Sequence, residues 1–488
     1  MRLGGRRTGP AMVKKMAGFS PIVFAPAVIL ATALGALFAP SCRVIPAPVL
    51  WSLSPAREIS TTASFTLTVR GSNFQANSAV SFNGRVMATV FVGAGELHCQ
   101  IAPADLTTAV AGAAAQTVSV PVHVSTPSAG ISNALNFRID VYPEFVAPLK
   151  IADATRSYYD SIQPQLAFAG GGRLCAVWRD QERLFISASD DAGASWTSPM
   201  LLNAAPYFPY RFALAAGRTA GQLFLAWEES ALIYLIRSAD GGRTWSVRVP
   251  LTDPSVTTAN SPGLYVDPSG SLFAAYLSRS LVGGGPYAVI VLKSTDGGAA
   301  FGPLGAIPWN TYFTGERGPR MAADAAGILY LVFPSDFGTR YMTDYLAFST
   351  NGGVSWSAPV NVNLVGSAPG VDAVNGLLLA GANMYLPYTY KLTFKRSDDR
   401  GATWSSHDFE GTNFALPGLL VNAFGSTDVV WKSKFTRSFD RGAAWNEVVS
   451  FTDDAAADYP ALLEDASGRV FIVWWSGMGA IFISRSLR

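Results

Sequence analysis

Four arginines pose the first chemical question. Arg156, Arg211, Arg317 and Arg320 lie in short segments crowded with aromatic residues. A guanidinium offers paired N–H donors that match a carboxylate. The segments 153–161, 203–211, 307–320 and 451–459 also carry Tyr158, Tyr159, Tyr207, Phe208, Tyr210, Trp309, Tyr312, Phe313 and Tyr459. Such rings suit stacking on the apolar C–H face of a sugar. Asp160, Glu228, Glu229, Glu316 and Asp458 are available as acids or bases. Cleavage of a glycosidic bond needs two carboxylates roughly 5 to 10 Å apart across it, and no spacing here demands that pair. The competing expectation is structural, because aromatics also pack between strand sets and surface Arg–Glu pairs stabilise little. The ligand-binding candidates are therefore Arg156, Tyr159, Asp160, Tyr210, Arg211, Trp309, Glu316, Arg317, Arg320 and Tyr459, with no catalytic residue assigned.

Other chemistries find little support. His98, His123 and His407 have no second ligand at metal spacing, so no metal site is expected. No G-x-S-x-G elbow marks a serine hydrolase. Charged residues are only 14% of the chain, and Lys and Arg cluster only in the first fifteen residues. That excludes the basic surface a nucleic-acid binder needs. No cofactor is expected.

The elements that must position the candidates form a repeat. The 488 residues exceed one ordinary domain, and 46 glycines with 30 prolines suit a turn-rich β protein. SASDDAGASW (187–196) returns as RSADGGRTW, KSTDGGAAF, FSTNGGVSW, RSDDRGATW and RSFDRGAAW. Their serines, Ser189, Ser238, Ser294, Ser349, Ser397 and Ser438, are 49, 56, 55, 48 and 41 residues apart. Apolar runs such as RLCAVW and QLFLAW precede the turns, usually after a paired strand and a glycine turn, and a seventh run, RVFIVWW, follows the last turn. Each repeat reads as three strands, the special turn and a fourth strand. Four-stranded units repeated at this period are propeller blades. The last repeat lacks a fourth strand, and FVAPLKIADA before the first repeat is an orphan resembling one. That strand is expected to complete the last blade, giving seven blades over 145–488, with six the alternative.

The turn resembles the Asp-box, or BNR, repeat of sialidase-like propellers, Ser-x-Asp-x-Gly-x-Thr-Trp. Its acids are Asp191, Asp240, Asp296, Asp399 and Asp440, with Asn351 in the fourth copy. Its glycines are Gly193, Gly242, Gly298, Gly353, Gly401 and Gly442, and its rings Trp196, Trp245, Trp356, Trp404 and Trp445, with Phe301 in the third copy. Six copies cannot all serve one pocket, so they are expected to staple the fold. Asp accepts backbone N–H groups, glycine supplies positive φ and Trp plugs the blade. The resemblance places ligands at the opposite face. A sialidase would also bring three arginines for a sugar carboxylate, a Tyr–Glu nucleophile pair and an Asp acid/base. The first arginine sits in an early Arg-Ile-Pro-like motif, but here the corresponding strand reads SIQPQLAFA, with no arginine.

Residues 48–141 resemble an immunoglobulin-like IPT/TIG domain. The marks are Ser54-Pro55, GSNF (71–74), the Asn83-Gly84 hairpin signal, IAP near Pro103 and SNALNF (132–137). Residues 1–42 read as an export signal, with Arg2, Arg6, Arg7, Lys14 and Lys15 before an apolar run. Cys42 in FAPSC resembles a lipidation site, with plain cleavage and an uncleaved anchor as alternatives. Without this segment the chain carries 31 Lys+Arg against 34 Asp+Glu, a net charge of −3.

The fold expected is all-β, a sialidase-like propeller behind an immunoglobulin-like sandwich, outside the cytoplasm and meeting membrane only through its N-terminal signal or lipid. The leading function is recognition of a glycan or other surface polymer without catalysis. A sialidase-like glycoside hydrolase and an adhesive surface role are the alternatives. If the four arginines do not share one face, the carboxylate clamp falls.

Overall fold

The computed structural model describes residues 45–60, 63–110, 117–154, 162–203, 209, 211–252, 257–280, 287–309, 318–336, 342–371, 377–385, 389–409, 416–422 and 426–487. Cys42 and the export segment lie outside them. The chain divides at Pro46, and Ala47–Arg488 form one compact unit.

That unit begins with a β-sandwich. One sheet pairs Val49–Ser54, Phe65–Ser72, Glu96–Ile101 and Thr89–Gly93. The other contains Arg57–Ile59, Leu135–Asp140, Thr117–Thr126, Ala79–Phe82 and Arg85–Val86, with Gly130–Ile131 at its side. Alternating residues such as Leu67, Val69, Val120, Val122, Phe137 and Ile139 fill the space between the sheets. Asn83 and Gly84 both take positive φ, 49° and 78°, as a tight two-residue hairpin requires. The one helix among the described residues, Pro103–Val110, starts on a proline, whose missing N–H costs nothing there.

Seven four-stranded antiparallel sheets follow among the described residues. Blade I runs from Gln165 to Leu201, blade II from Phe212 to Pro250, blade III from Thr257 to Trp309 and blade IV from Arg320 to Asn361. Blade V spans Val365–Phe409 and blade VI Gly418–Ser450. Blade VII joins Ala457–Glu464, Val470–Ser476 and Ala480–Arg485 to the early strand Leu149–Asp153. The early strand pairs antiparallel with the last, Leu149 opposite Ile483 and Asp153 opposite Ala480. The first strand of every blade adjoins that of the next, and blade VII adjoins blade I, so the ring is closed. Second strands are covered on both faces, as in Val470–Ser476, where every residue is buried. Their sequences are accordingly continuous apolar runs rather than alternations.

Each Asp-box closes the turn between strands three and four. The box serine donates to the Oδ1 of its Asp, or of Asn351 in the fourth copy, at 2.7–2.9 Å in all six copies. The same oxygen accepts the box glycine N–H at 2.7–2.9 Å. All six glycines have φ between 80° and 96°. A side chain there would also collide with the preceding blade: a Cβ on Gly442 would lie 2.2 Å from the Phe394 ring. The box therefore fastens neighbouring blades as well as its own turn. Trp245 packs between blades I and II, and its indole N–H reaches the Gly242 carbonyl at 3.2 Å.

The boxes differ in one hydroxyl. Ser195, Thr244 and Thr403 donate to the second carboxylate oxygen at 2.5–2.6 Å. These bonds, with the backbone N–H of the same residues, hold Asp191, Asp240 and Asp399 down at about 2. In the fourth box Asn351 keeps the acceptor role toward Ser349 and Ser355 N–H, and its amide donates to Ser355 Oγ at 2.8 Å.

Cys99 and Cys175 are free and buried, and burial pushes their thiols up to about 12 and about 11. They are poor nucleophiles near neutral pH.

The depressed box acids predict an acid limit. A carboxylate whose folded pKa lies below its unfolded value stabilises fully above about pH 3.9 and loses that contribution as pH falls through about 2. Asp399→Asn, which copies the fourth box, should keep the turn yet flatten the fall in melting temperature between about pH 4 and pH 2. Circular dichroism melts across that range test it, and an unchanged slope refutes it.

Candidate functional site

The first strands of all blades run away from the face opposite the Asp-boxes. Their starting ends surround the axis, and a cavity of about 290 Å³ opens between them. It is lined by Gln163–Leu166 of blade I without Pro164, Arg211–Leu214 before and in blade II, Pro262–Leu264 of blade III, Gly318–Met321 of blade IV and Ala461 with Leu462 of blade VII.

Register explains the space. Gln165, Ala213, Gly263, Arg320, Gly418 and Ala461 occupy one ring, each opposite the equivalent residue of its second strand. Most of that ring is glycine or alanine. Gly263 is required by close approach, since a Cβ there would sit 1.8 Å from the Pro319 carbonyl oxygen. Gly318 answers it, with Pro262 O at 2.4 Å from its own would-be Cβ. Small residues thus leave a void, and the long side chain of Arg320 enters from one wall.

Arg320 is half-buried. Burial pushes its guanidinium down to about 10, with Asp344 pulling the other way. It therefore stays cationic at neutral pH. Arg211 lines the same cavity and donates to Glu228 Oε2 at 3.2 Å. That oxygen also accepts the Ser261 N–H at 3.0 Å. Glu228 thus holds Arg211 from behind, while no Asp or Glu is among the described lining residues. Gln165 bonds the backbone of the next strand, donating to Phe212 O at 3.0 Å and accepting from Leu214 N at 2.8 Å. Where the resemblance led us to seek an arginine, this glutamine ties blade I to blade II.

Of the ten candidates, Arg211 and Arg320 come together. Arg156, Tyr159, Asp160, Tyr210, Glu316 and Arg317 lie outside the described residues. Two assignments need correction. Trp309 is not in a loop at the mouth but ends the outer strand Gly302–Trp309, packed 4.6 Å from Tyr345 and 5.4 Å from Phe333. Tyr459 lies in a strand bulge, with φ 50°, and is buried with Ile151 and Trp475. Both rings fill seams between or within blades. Glu229 is likewise structural: it is buried, accepts Trp227 Nε1 at 2.9 Å and pairs with Arg248 at 2.5 Å.

A family described as the BNR repeat-like domain matches residues 216–472, more than half of the chain. This chain belongs to that family. An IPT/TIG domain matches residues 48–139 ahead of the BNR repeat-like region. No curated protein shows significant similarity to the chain. Among solved structures, a Hadza microbial sialidase is 15% identical, over 91% of this chain and 93% of that one, with a TM-score of 0.43. Penicillium chrysogenum α-L-arabinanase, complexed with arabinobiose, is 14% identical over 70% of this chain and 98% of its own, at 0.44. A PL25 ulvan lyase is 10% identical over 70% and 98%, at 0.48. Identities this low leave the activity of this BNR repeat-like protein open.

The close approach at the axis gives a direct expectation. Gly263→Ala should force the first strands of blades III and IV apart. It should cost about 1–3 kcal/mol, the range typical of overpacked sites. Ala213→Gly, on the same ring without such a contact, should cost about 1 kcal/mol or less. Chemical denaturation of the two variants checks the difference.

Proposed function

We propose that this propeller recognises a carboxylated glycan at its axial cavity and does not cleave it, and that the chain is exported. The observation that supports this reading is the convergence of Arg211 and Arg320 on one cavity whose described lining contains no carboxylate. Two cations there favour an anion, and the planar guanidinium favours a carboxylate over a spherical ion. Gln163 adds an amide to the lining, a group suited to sugar hydroxyls. Hydrolysis would call for two facing carboxylates, and Glu228, the acid beside Arg211, is engaged by Arg211 and Ser261. Export rests on the basic and apolar pattern of residues 1–42, with Cys42 the candidate lipid attachment.

The test is calorimetric titration of the full chain with sialyllactose and with glucuronate oligomers. At least one should bind, and Arg320→Met should weaken it about 10- to 100-fold, the equivalent of about 1.5–3 kcal/mol for a charged hydrogen bond. Absence of binding to every acidic glycan sinks the proposal. Release of fluorophore from a fluorogenic α-sialoside, abolished by Arg320→Met, would replace recognition with hydrolysis.

A further inference from the structure

The end of the sandwich remote from the propeller carries an exposed apolar surface. The near end is marked by Asp140, whose strand leads to Tyr142 and its bond to Glu447 of blade VI. Asp140 pairs opposite Thr117, and Thr126 stands at the other end of that ten-residue strand, about 30 Å away. Several segments meet at this far end. Ser78 Oγ bonds Thr126 Oγ1 at 2.7 Å, and Gly71 N–H reaches Gly95 O at 3.0 Å. Asn133 accepts the Leu50 N–H at 2.8 Å and donates to Leu50 O at 3.1 Å, which sets Ile131 beside the first strand.

The segments that build this end, 47–54, 71–79, 89–95 and 124–134, contain no Asp, Glu, Lys or Arg. The flanking Arg70 and Glu96 pair with each other at 3.0 Å. Four apolar side chains are exposed here: Val49 (41%), Trp51 (67%), Val92 (54%) and Ile131 (66%). Trp51 escapes the core because the register of its edge strand shifts between Leu50 and Ser52, while Leu50 and Leu53 point inward. An indole left in water forgoes the burial of a large apolar ring.

Resting on the export reading, we propose that this end of the sandwich lies on a lipid bilayer, with Trp51 and Ile131 in the interfacial layer. Contact with membrane then extends beyond the N-terminal segment. What points to lipid is where the chain leads. Val49 follows Cys42 by seven residues, which span at most about 25 Å. A Cys42 held at the membrane, by a lipid or by the apolar run before it, therefore keeps this end close to the bilayer. An indole is amphipathic and favours the lipid–water boundary. The lack of charge in these segments avoids the cost of taking ions out of water.

The experiment reconstitutes the full chain into phosphatidylcholine–phosphatidylglycerol vesicles, with and without bromine on the upper acyl chains, in parent and Trp51→Ser forms. Flotation reads attachment. Tryptophan emission reads contact with lipid, because bromine quenches only rings close to it. Residues 1–50 contain no tryptophan, and Trp51 alone precedes Trp178, so the parent-minus-variant difference isolates one ring of the sandwich. Trp51 is two-thirds exposed, so Trp51→Ser should leave the melting temperature unchanged. We expect both forms to float. Brominated lipid should lower the parent's emission by the order of one ring in twelve and leave Trp51→Ser unaffected. The difference spectrum should also shift to the blue on reconstitution. Flotation with equal quenching in the two forms overturns the proposal and leaves the membrane anchor standing. Absence of flotation overturns the anchor, and the proposal with it. A blue shift that follows protein concentration and ignores bromine gives the surface to a second copy of the chain instead.

Discussion

The fold depends on one strand pair. Leu149–Asp153, from the start of the propeller, must find Ala480–Arg485, from its end. Without that pairing blade VII would be three-stranded and would leave the edge of Ala480–Arg485 open to other chains. The entropy of closing so long a loop is met once, and further bonds at the same seam then come at little extra cost. Phe145 bridges Ser486, Val146 N–H reaches Arg485 O at 2.9 Å, and Ser484 Oγ donates to Val146 O at 2.7 Å. The sandwich is fastened beside it, at blade VI. Tyr142, just beyond its last strand, donates to Glu447 O at 2.7 Å and packs on Phe435 of blade VI.

Closure also creates the axial cavity. A closed ring brings the starting ends of its first strands to a common axis, where side chains compete for space. Gly263 and Gly318 resolve the tightest contact, and alanines relieve others. The result is a void with a few long side chains at its edge. Arg320 is held there by its own strand and Arg211 by Glu228, so the charges are preorganised by the scaffold. The Asp-boxes work at the opposite face. In the first, second and fifth boxes both carboxylate oxygens are bonded within the acid's own turn.

What was legible in the sequence follows from this division. An Asp-box is contiguous: every partner of Asp191 lies within four residues, so the motif alone states its bonds. The missing fourth strand of the last repeat and the orphan before the first gave the closure by counting. The sandwich was readable from its hairpin signal and alternating strands. The destinations of single side chains were not readable. Trp309 looks like a mouth residue until strand Gly302–Trp309 is seen to extend to its end, against rings of the next blade. Tyr459 is turned inward by a bulge that no local pattern announces. Gln165 carries no motif, because its partners belong to another strand.

Glu228 and Glu229 show how finely strand geometry divides such roles. Adjacent residues on a strand face opposite ways, so two identical side chains meet unlike surroundings. Glu229 turns to Trp227 and Arg248 and is consumed by the blade. Glu228 turns to Arg211 and the Ser261 N–H, where it both steadies an axial cation and walls a second cavity, between blades II and III. Ser261 can donate there because the bulge, with its positive φ, turns that N–H away from the ladder. One irregularity in one inner strand therefore fixes the carboxylate that stands between the two cavities.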